Sequence, residues 1–286
     1  MLLEGLDTLF LLASEGTMGK VASRLYISQS AVSKRIHQLE LRLGKKLIEP
    51  DGRQTRLTPQ AHELLARLGP TLAEMKGLLA DSQTLTDAHP LPIACSETLL
   101  AGYLAPFMAA YLRQDPYLQI STHHTPVILA RVRAGEALLG ICAGRLPPGH
   151  GLCAELLRDE PFYLVGDEAP AGPGASLLTM DLENPVNRYL VAPLAELGLT
   201  PRMQLDSYLA LIELARAGMG PVMLPQGLLA LVGEQGRRAK PLPGISRPLH
   251  LIYRPSSLKR ERATRLVQAL LHHFAALAPP GPCAGF

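Results

Sequence analysis

The segment ISQSAVSKRIHQLELRLG, residues 27–44, carries on one side a set of groups suited to reading a nucleic acid. Gln29 lies in its first turn, and Ser30, Ser33, Lys34 and His37 follow helical spacing along one face. Their hydroxyl, amide, imidazole and ammonium groups hydrogen-bond to base edges and phosphates, where long acidic side chains would be repelled. The opposite face holds Val32, Ile36, Leu39 and Leu43 at +4, +3 and +4, the stripe of a helix packed on a core. Ser28 is placed to cap that helix and Gly44 to end it. The capping box is incomplete, because Ala31 stands where Glu or Gln would reach back.

Charge is distributed in the same sense. A net +3 over 286 residues says little by itself. Residues 17–56 hold nine bases (Lys20, Arg24, Lys34, Arg35, Arg42, Lys45, Lys46, Arg53 and Arg56) against Glu40, Glu49 and Asp51, a surplus of six. Beyond residue 56 the chain is neutral, with 19 charges of each sign. A local basic field suits a polyanion partner, although a solvated charged face reads the same from charge alone.

Several elements must position these groups. TMGKVASRLYIS (17–28) predicts a short helix capped by Thr17, with Val21, Ala22 and Leu25 inward. Only Tyr26, Ile27 and Ser28 separate it from the next helix, and small Ala22 allows the two to cross closely. A helix over about 3–14 offers Leu6, Leu9, Phe10 and Ala13 to complete a three-helix core. After Leu47 and Ile48, EPDGRQTRLTP has a hairpin turn at Asp51-Gly52, with Arg53 at the tip and Arg56 on the returning strand. Two short helices, a tight turn and a basic wing describe a winged helix-turn-helix for double-stranded DNA. The reader residues are then Thr17, Ser28, Gln29, Ser30, Ser33, Lys34, His37, Arg53 and Arg56.

Residues 3–65 resemble the N-terminal domain of LysR-type transcriptional regulators. The resemblance rests on Phe10, Ala13, Glu15-Gly16, Ala22, Leu25, Ser28-Gln29, Ser33, Ile36, Leu39-Glu40, Leu43-Gly44, Leu47, Arg53 and Leu57-Thr58. It implies DNA contacts at Gln29, Ser30, Ser33, Lys34 and Arg53. The sequence departs from the family at Met18 and Ile48, apolar replacements for Phe, and at Ser30, where the family has Pro. Pro50 removes a basic residue near the wing.

From Pro59, the residues Ala61, Leu65, Leu68, Leu72, Met75 and Leu79 recur at alternating +4 and +3, an apolar seam on a long helix. Such a seam pairs two chains through Leu65, Leu68, Leu72, Met75 and Leu79, or packs the helix on its own domain. A LysR-type linker helix implies the former, giving a homodimer or homotetramer, with RNA polymerase as a further partner. Pro70 predicts a kink near Gly69-Pro70, and SQTLTDAHPLP (82–92) ends the helix.

Residues 91–278 alternate short apolar runs with helical patterns, an α/β arrangement. The organisation is α/β overall: a winged helix-turn-helix over 1–58, a linker helix over 59–89, an effector domain over 90–278 and a tail over 279–286. Lobe I takes about 90–165 and 248–278, lobe II about 166–247. AGMGPVMLP (217–225) and RAGEALLGI (133–141) are similar to stretches of the LysR effector domain, itself similar to periplasmic solute-binding proteins, with Leu138 in place of the family's acid. The cleft between lobes is the expected place for a small-molecule effector. Ser96, Glu97 and Thr98 open one helix, Thr125 a second and Ser207 a third, where free N–H groups meet polar anions. Plain N-capping explains each of these equally well. Asp181, Glu183 and Asn184 approach from the second lobe and would favour an ammonium or hydroxyl on the ligand.

Catalytic patterns are missing: there is no GxSxG, GxxxxGK(S/T) or HExxH, and no GxGxxG after a strand. The reading is therefore a binding protein without catalytic residues, cofactor or metal. Cys95, Cys142, Cys153 and Cys283 lack metal or redox spacing, and the His123-His124 and His272-His273 pairs diverge. No apolar run of about 18 residues suggests a membrane span, and the acids in the first twenty residues suit an amphipathic helix rather than a signal peptide. A cytoplasmic location follows. A solute-binding component is the rival reading, opposed by the basic N-terminal unit; an enzyme on the α/β half is the other, opposed by the missing motifs.

Overall fold

The computed structural model describes residues 2–51, 54–81, 89–166 and 175–277. The chain divides into two compact units, Met1–Met75 and Lys76–Phe286.

The first unit contains α1 (Leu2–Glu15), α2 (Met18–Leu25), α3 (Gln29–Leu43), the antiparallel hairpin β1 (Ile48–Asp51) and β2 (Gln54–Leu57), and the start of α4 (Pro59–Asp81). Its core joins Leu6, Leu9, Leu39, Leu47 and Ala61 to Leu12, Val21, Ala22, Val32 and Ile36. Leu12, rather than the expected Ala13, is buried, and Ala13 is exposed. The close crossing at Gly5 explains this, since a Cβ there would lie 3.1 Å from Leu39 Cβ. That contact turns the stripe Gly5, Leu6, Thr8, Leu9 and Leu12 inward. Between α2 and α3, Tyr26 takes a left-handed conformation (φ 53°), and its N–H donates to the carbonyls of Ala22 and Ser23. This closes α2 within one residue and sets the sharp turn.

α4 is a single helix with Pro70 inside it, and Leu65 and Leu68 pack against the first unit's own core. Leu72 is buried, Met75 half-buried and Leu79 exposed.

The second unit is built on β3 (Leu91–Cys95), the continuous helical run α5 (Glu97–Leu99), a π-helical turn (Leu100–Leu104) and α6 (Ala105–Leu112), then β4 (Leu118–Thr122), α7 (Thr125–Arg133) and β5 (Leu139–Ala143). It continues through β6 (Cys153–Val165), β7 (Ala175–Met180), α8 (Val191–Glu196), β8 (Leu199–Leu205), α9 (Tyr208–Arg216) and β9 (Val222–Pro225). A 3-10 segment (Gln226–Val232), α10 (Glu234–Arg237), β10 (Lys240–Tyr253) and α11 (Glu261–Ala276) complete it. The sheet order is β4-β3-β5-β10-β6-β9-β7-β8.

Two lobes share this sheet. In the first, α5, α6 and α11 cover one face of β3, β5 and the end of β10, and α7 covers the other. In the second, α9 and α8 cover opposite faces of β6, β7 and β9. β6 and β10 are antiparallel and belong to both lobes, with register shifts between Pro241 and Ser246 and between Leu249 and His250. Both strands begin earlier than their apolar runs suggest. Residues 153–159 are mostly exposed, and the Pro243-Gly244 stretch is absorbed in a bulge. Leu138 is buried in the first lobe's core, and its N–H donates to Pro92 O at 2.8 Å.

Candidate functional site

On the first unit, Gln29, Ser30, Ser33, Lys34 and His37 are all exposed along α3. Ser28 Oγ accepts from Ala31 N at 3.2 Å and shares a 2.8 Å hydrogen bond with Ser30 Oγ. Thr17 Oγ1 accepts from Lys20 N at 3.4 Å, so both serve as helix caps here. Gln29 lies over the preceding helix: a Cβ on Gly19 would sit 2.7 Å from its Nε2. Arg56 Nε is 2.7 Å from Glu49 Oε1, its register partner across the hairpin. Arg53 lies outside the described residues.

Glu40 fixes the end of this helix against the wing. Buried, it accepts from Leu47 N at 2.8 Å, Ile48 N at 3.3 Å and Lys46 Nζ at 3.4 Å. Burial opposes its charge, but these two amides and the Lys46 ammonium outweigh it and hold its carboxyl below the usual range. Thr58 continues the tie. Its hydroxyl donates to Lys46 O at 2.8 Å and accepts from Ala61 N at 3.2 Å, capping α4.

In the second unit, a cavity of about 520 Å³ opens between the lobes. Ser96, Glu97, Thr98, Thr125 and Ser207 line it, together with Asn184, Asn187, His123, His124, Asp206 and Arg247. Apolar walls come from Val127, Met180, Val186, Ile212, Leu228 and Leu231. Asp181 and Glu183 lie outside the lining: Asp181 Oδ1 accepts from Glu183 N at 2.9 Å, closing a local turn. Thr125 is buried and its hydroxyl donates to Ala143 O at 2.8 Å, whereas Ser207 Oγ accepts from Ala210 N at 3.3 Å. Ser96 Oγ and Thr98 Oγ1 hydrogen-bond to each other at 3.1 Å.

Arg247 and Glu160 form the charged centre behind the cavity. Glu160 is 0% exposed and Arg247 6%. Arg247 Nε donates to Glu160 Oε2 at 2.7 Å, and Nη2 donates to Thr98 Oγ1 at 3.2 Å. Glu160 Oε1 also accepts from Tyr103 OH and Gly227 N, each at 2.7 Å. Tyr103 belongs to the first lobe and Gly227 to the segment after β9, so one carboxylate ties both lobes. Burial opposes the Arg247 charge, yet the Glu160 carboxylate more than compensates and its pKa is raised. Burial, and then Glu160, pushes the Tyr103 phenol up, which keeps it a donor. A Cβ on Gly102 would lie 2.7 Å from Gly227 O, so the π-helical turn presses directly on the second lobe. Across the cavity, Arg145 N donates to Val186 O at 3.2 Å, a second bond between lobes.

Residues 3–62 match the family described as bacterial regulatory helix-turn-helix protein, lysR family, and residues 86–275 match the LysR substrate binding domain. The chain belongs to the LysR family. Over 273 residues this LysR-type regulator is 44% identical to an HTH-type transcriptional regulator of Vibrio cholerae, covering 94% of this chain and 96% of that one. Its fold is similar to full-length OxyR of Pseudomonas aeruginosa, with TM-score 0.61, 21% identity and coverage of 96% and 95%. It is similar in fold to CbnR, a LysR family transcriptional regulator, with TM-score 0.61, 19% identity and coverage of 96% and 99%.

The LysR-type assignment makes the first unit the DNA-binding part and the second the substrate-binding part of a transcriptional regulator. Arg247, Glu160, Tyr103 and Gly227 were not singled out by sequence reasoning. The available signal was an acid and a base bordering the apolar runs PFYLV and PLHLIY. Cys95 and Cys142 are buried free thiols, each pushed up to about 12, chiefly by burial. At neutral pH they are poor nucleophiles. Cys153 is half-buried, and Cys283 lies outside the described residues. Among the described residues no group of three His, Cys, Asp or Glu could hold a metal ion. No described helix is long and apolar enough to cross a membrane.

Proposed function

We propose that this regulator binds its operator through Gln29, Ser30, Ser33 and Lys34 and is switched by a small effector held in the inter-lobe cavity. It acts by binding rather than by catalysis, and action on DNA puts its work in the cytoplasm. The observation that carries the reading is the buried Glu160–Arg247 pair, whose partners come from both lobes and whose guanidinium lines the cavity. A ligand there changes the free energy of one lobe arrangement relative to another, which is the requirement for a ligand-driven shift. Self-association through α4 would present two recognition helices to a two-fold site. Exposed Leu78, beyond the half of the helix already packed on its own unit, supports pairing there. The reading keeps 1–58 as reader, 59–89 as linker and 90–278 as effector domain.

A metabolite-mixture thermal-shift screen on the full chain tests the cavity. At least one class is expected to raise Tm in the wild type and not in Ala101→Trp, which fills the cavity wall. No shift with any class, or equal shifts in both proteins, would reject the cavity as the effector site.

A further inference from the structure

We propose that the cavity takes a zwitterion of the α-amino-acid type with an apolar side chain, its carboxylate on Arg247 and Thr98 and its ammonium toward Glu97 and Asp206. The inference rests on the reading of the cavity as the effector site and names the ligand class that its walls fit.

The charges of the lining decide the class. Arg247 is the guanidinium of the wall, and Glu97 and Asp206 are its two carboxylates, contributed by opposite lobes. Arg247 is 6% exposed, while Glu97 and Asp206 are exposed. A carboxylate therefore belongs at the buried end and an ammonium at the rim. Glu160 offsets the Arg247 charge, so the buried end offers N–H donors rather than a free cation. A lone anion would meet two rim carboxylates, a lone cation would leave those donors unused, and a molecule with a carboxylate and an ammonium suits both ends.

Arg247 has donors for this role. A guanidinium carries five N–H groups; Nε donates to Glu160, Nη2 donates to Thr98, and the Tyr208 phenol is a third hydrogen-bond partner, which leaves two N–H groups for a ligand. Its Cζ stands over the Tyr208 ring, 5.6 Å from the centroid. Thr98 Oγ1 accepts from Arg247 and shares a 3.1 Å hydrogen bond with Ser96 Oγ; with Ser96 as the donor of that bond, the Thr98 hydroxyl donates to the carboxylate.

His123 also contributes to the lining, with its Nε2 buried and without a hydrogen bond among the described residues. The side chain of the ligand meets Ile212, Leu228 and Leu231, and about 520 Å³ holds an amino acid with several waters.

Thermal unfolding of the full chain with matched probes tests the class. L-Leucine, L-methionine and L-phenylalanine are compared with 4-methylpentanoate, which lacks the amine, and 3-methylbutylamine, which lacks the carboxylate. At least one amino acid is expected to raise Tm by about 2–4 °C at saturation, with the single-charge probes giving less than half. Asp206→Asn should weaken the apparent affinity about tenfold, and Arg247→Gln should abolish the shift. Should Arg247→Gln not fold, Thr98→Val provides the second variant, with an expected loss of about fivefold. An equal shift from 4-methylpentanoate or 3-methylbutylamine, or an unchanged response in Asp206→Asn, would overturn the zwitterion. No shift with any amino acid, alongside a shift from another class in the metabolite screen, overturns the class and leaves the cavity standing; no shift in either experiment removes both.

Discussion

Arg247 and Glu160 are register partners on β10 and β6, and their 2.7 Å ion pair sits between the two register shifts of those strands. Both side chains are buried, and the acid is satisfied by Tyr103 and Gly227 as well as by Arg247. The pair joins chain segments 87 residues apart.

Removing one member leaves the other charge buried without its counter-ion. Glu160→Gln should destabilise the second unit by about 3–5 kcal/mol. Replacing both by Met should lose less than the sum of the two single changes. Urea unfolding of the three variants checks this; additive losses would mean that the pair is not coupled.

Glu40 gives the first unit an acid-sensitive tie. Its carboxyl titrates lower in the folded protein than in the unfolded chain. Its contribution is therefore complete above the unfolded value of about 4.3 and disappears as pH falls through the folded value. Glu40→Gln should cost about 1–2 kcal/mol at pH 7, and the difference from wild type should shrink below about pH 4. Equilibrium unfolding across that pH range tests the sign.

Substitution at Gly19 should separate the proposed DNA contact of Gln29 from stability. A Cβ there meets the flexible end of Gln29 at 2.7 Å, not backbone. Gly19→Ala should keep or raise the melting temperature, because Ala favours the helix by about 0.5–1 kcal/mol. It should also weaken operator binding by displacing Gln29. Gel-shift titration beside thermal melting reads both; unchanged operator affinity would take Gln29 out of the contact set.

Two basic side chains of the proposed DNA-contacting surface should differ. Lys34 is exposed, whereas Arg56 is held by Glu49 at 2.7 Å. Lys34→Ala should reduce the slope of log affinity against log salt by about 1. Arg56→Ala should change it less, because its charge is already opposed. Binding isotherms at several salt concentrations distinguish the two.

Gly102 tests the contact between the π-helical turn and the second lobe. A Cβ would come within 2.7 Å of Gly227 O, a backbone atom. Gly102→Ala should destabilise by about 1–3 kcal/mol through a backbone shift. Calorimetry of the full chain gives the direct measurement.

Legibility followed the range of the interactions. The reading helix was clear because Val32, Ile36 and Leu39 are neighbours along one turn pattern, and all three are buried. Leu12 was harder: it and Ala13 compete for the same stripe, and the choice depends on Gly5 meeting Leu39 on another helix. Of the cavity, Ser96, Thr98 and Ser207 were visible as helix openings. Glu160 and Arg247 were not, because nothing local tells a charged residue beside an apolar run that its partner is 87 positions away. The early parts of β6 and β10 were hidden for a related reason: each pairs with the late part of the other strand, and their exposed side chains carry no alternation.

β6 and β10 pass through both lobes without interruption. The lobes thus have no free swivel between them, and any rotation of one against the other must be taken up as torsion along two hydrogen-bonded ribbons. The irregular steps on either side of Arg247 interrupt the ladder of such a ribbon, and the side chain that lines the cavity is anchored in the short regular stretch between them.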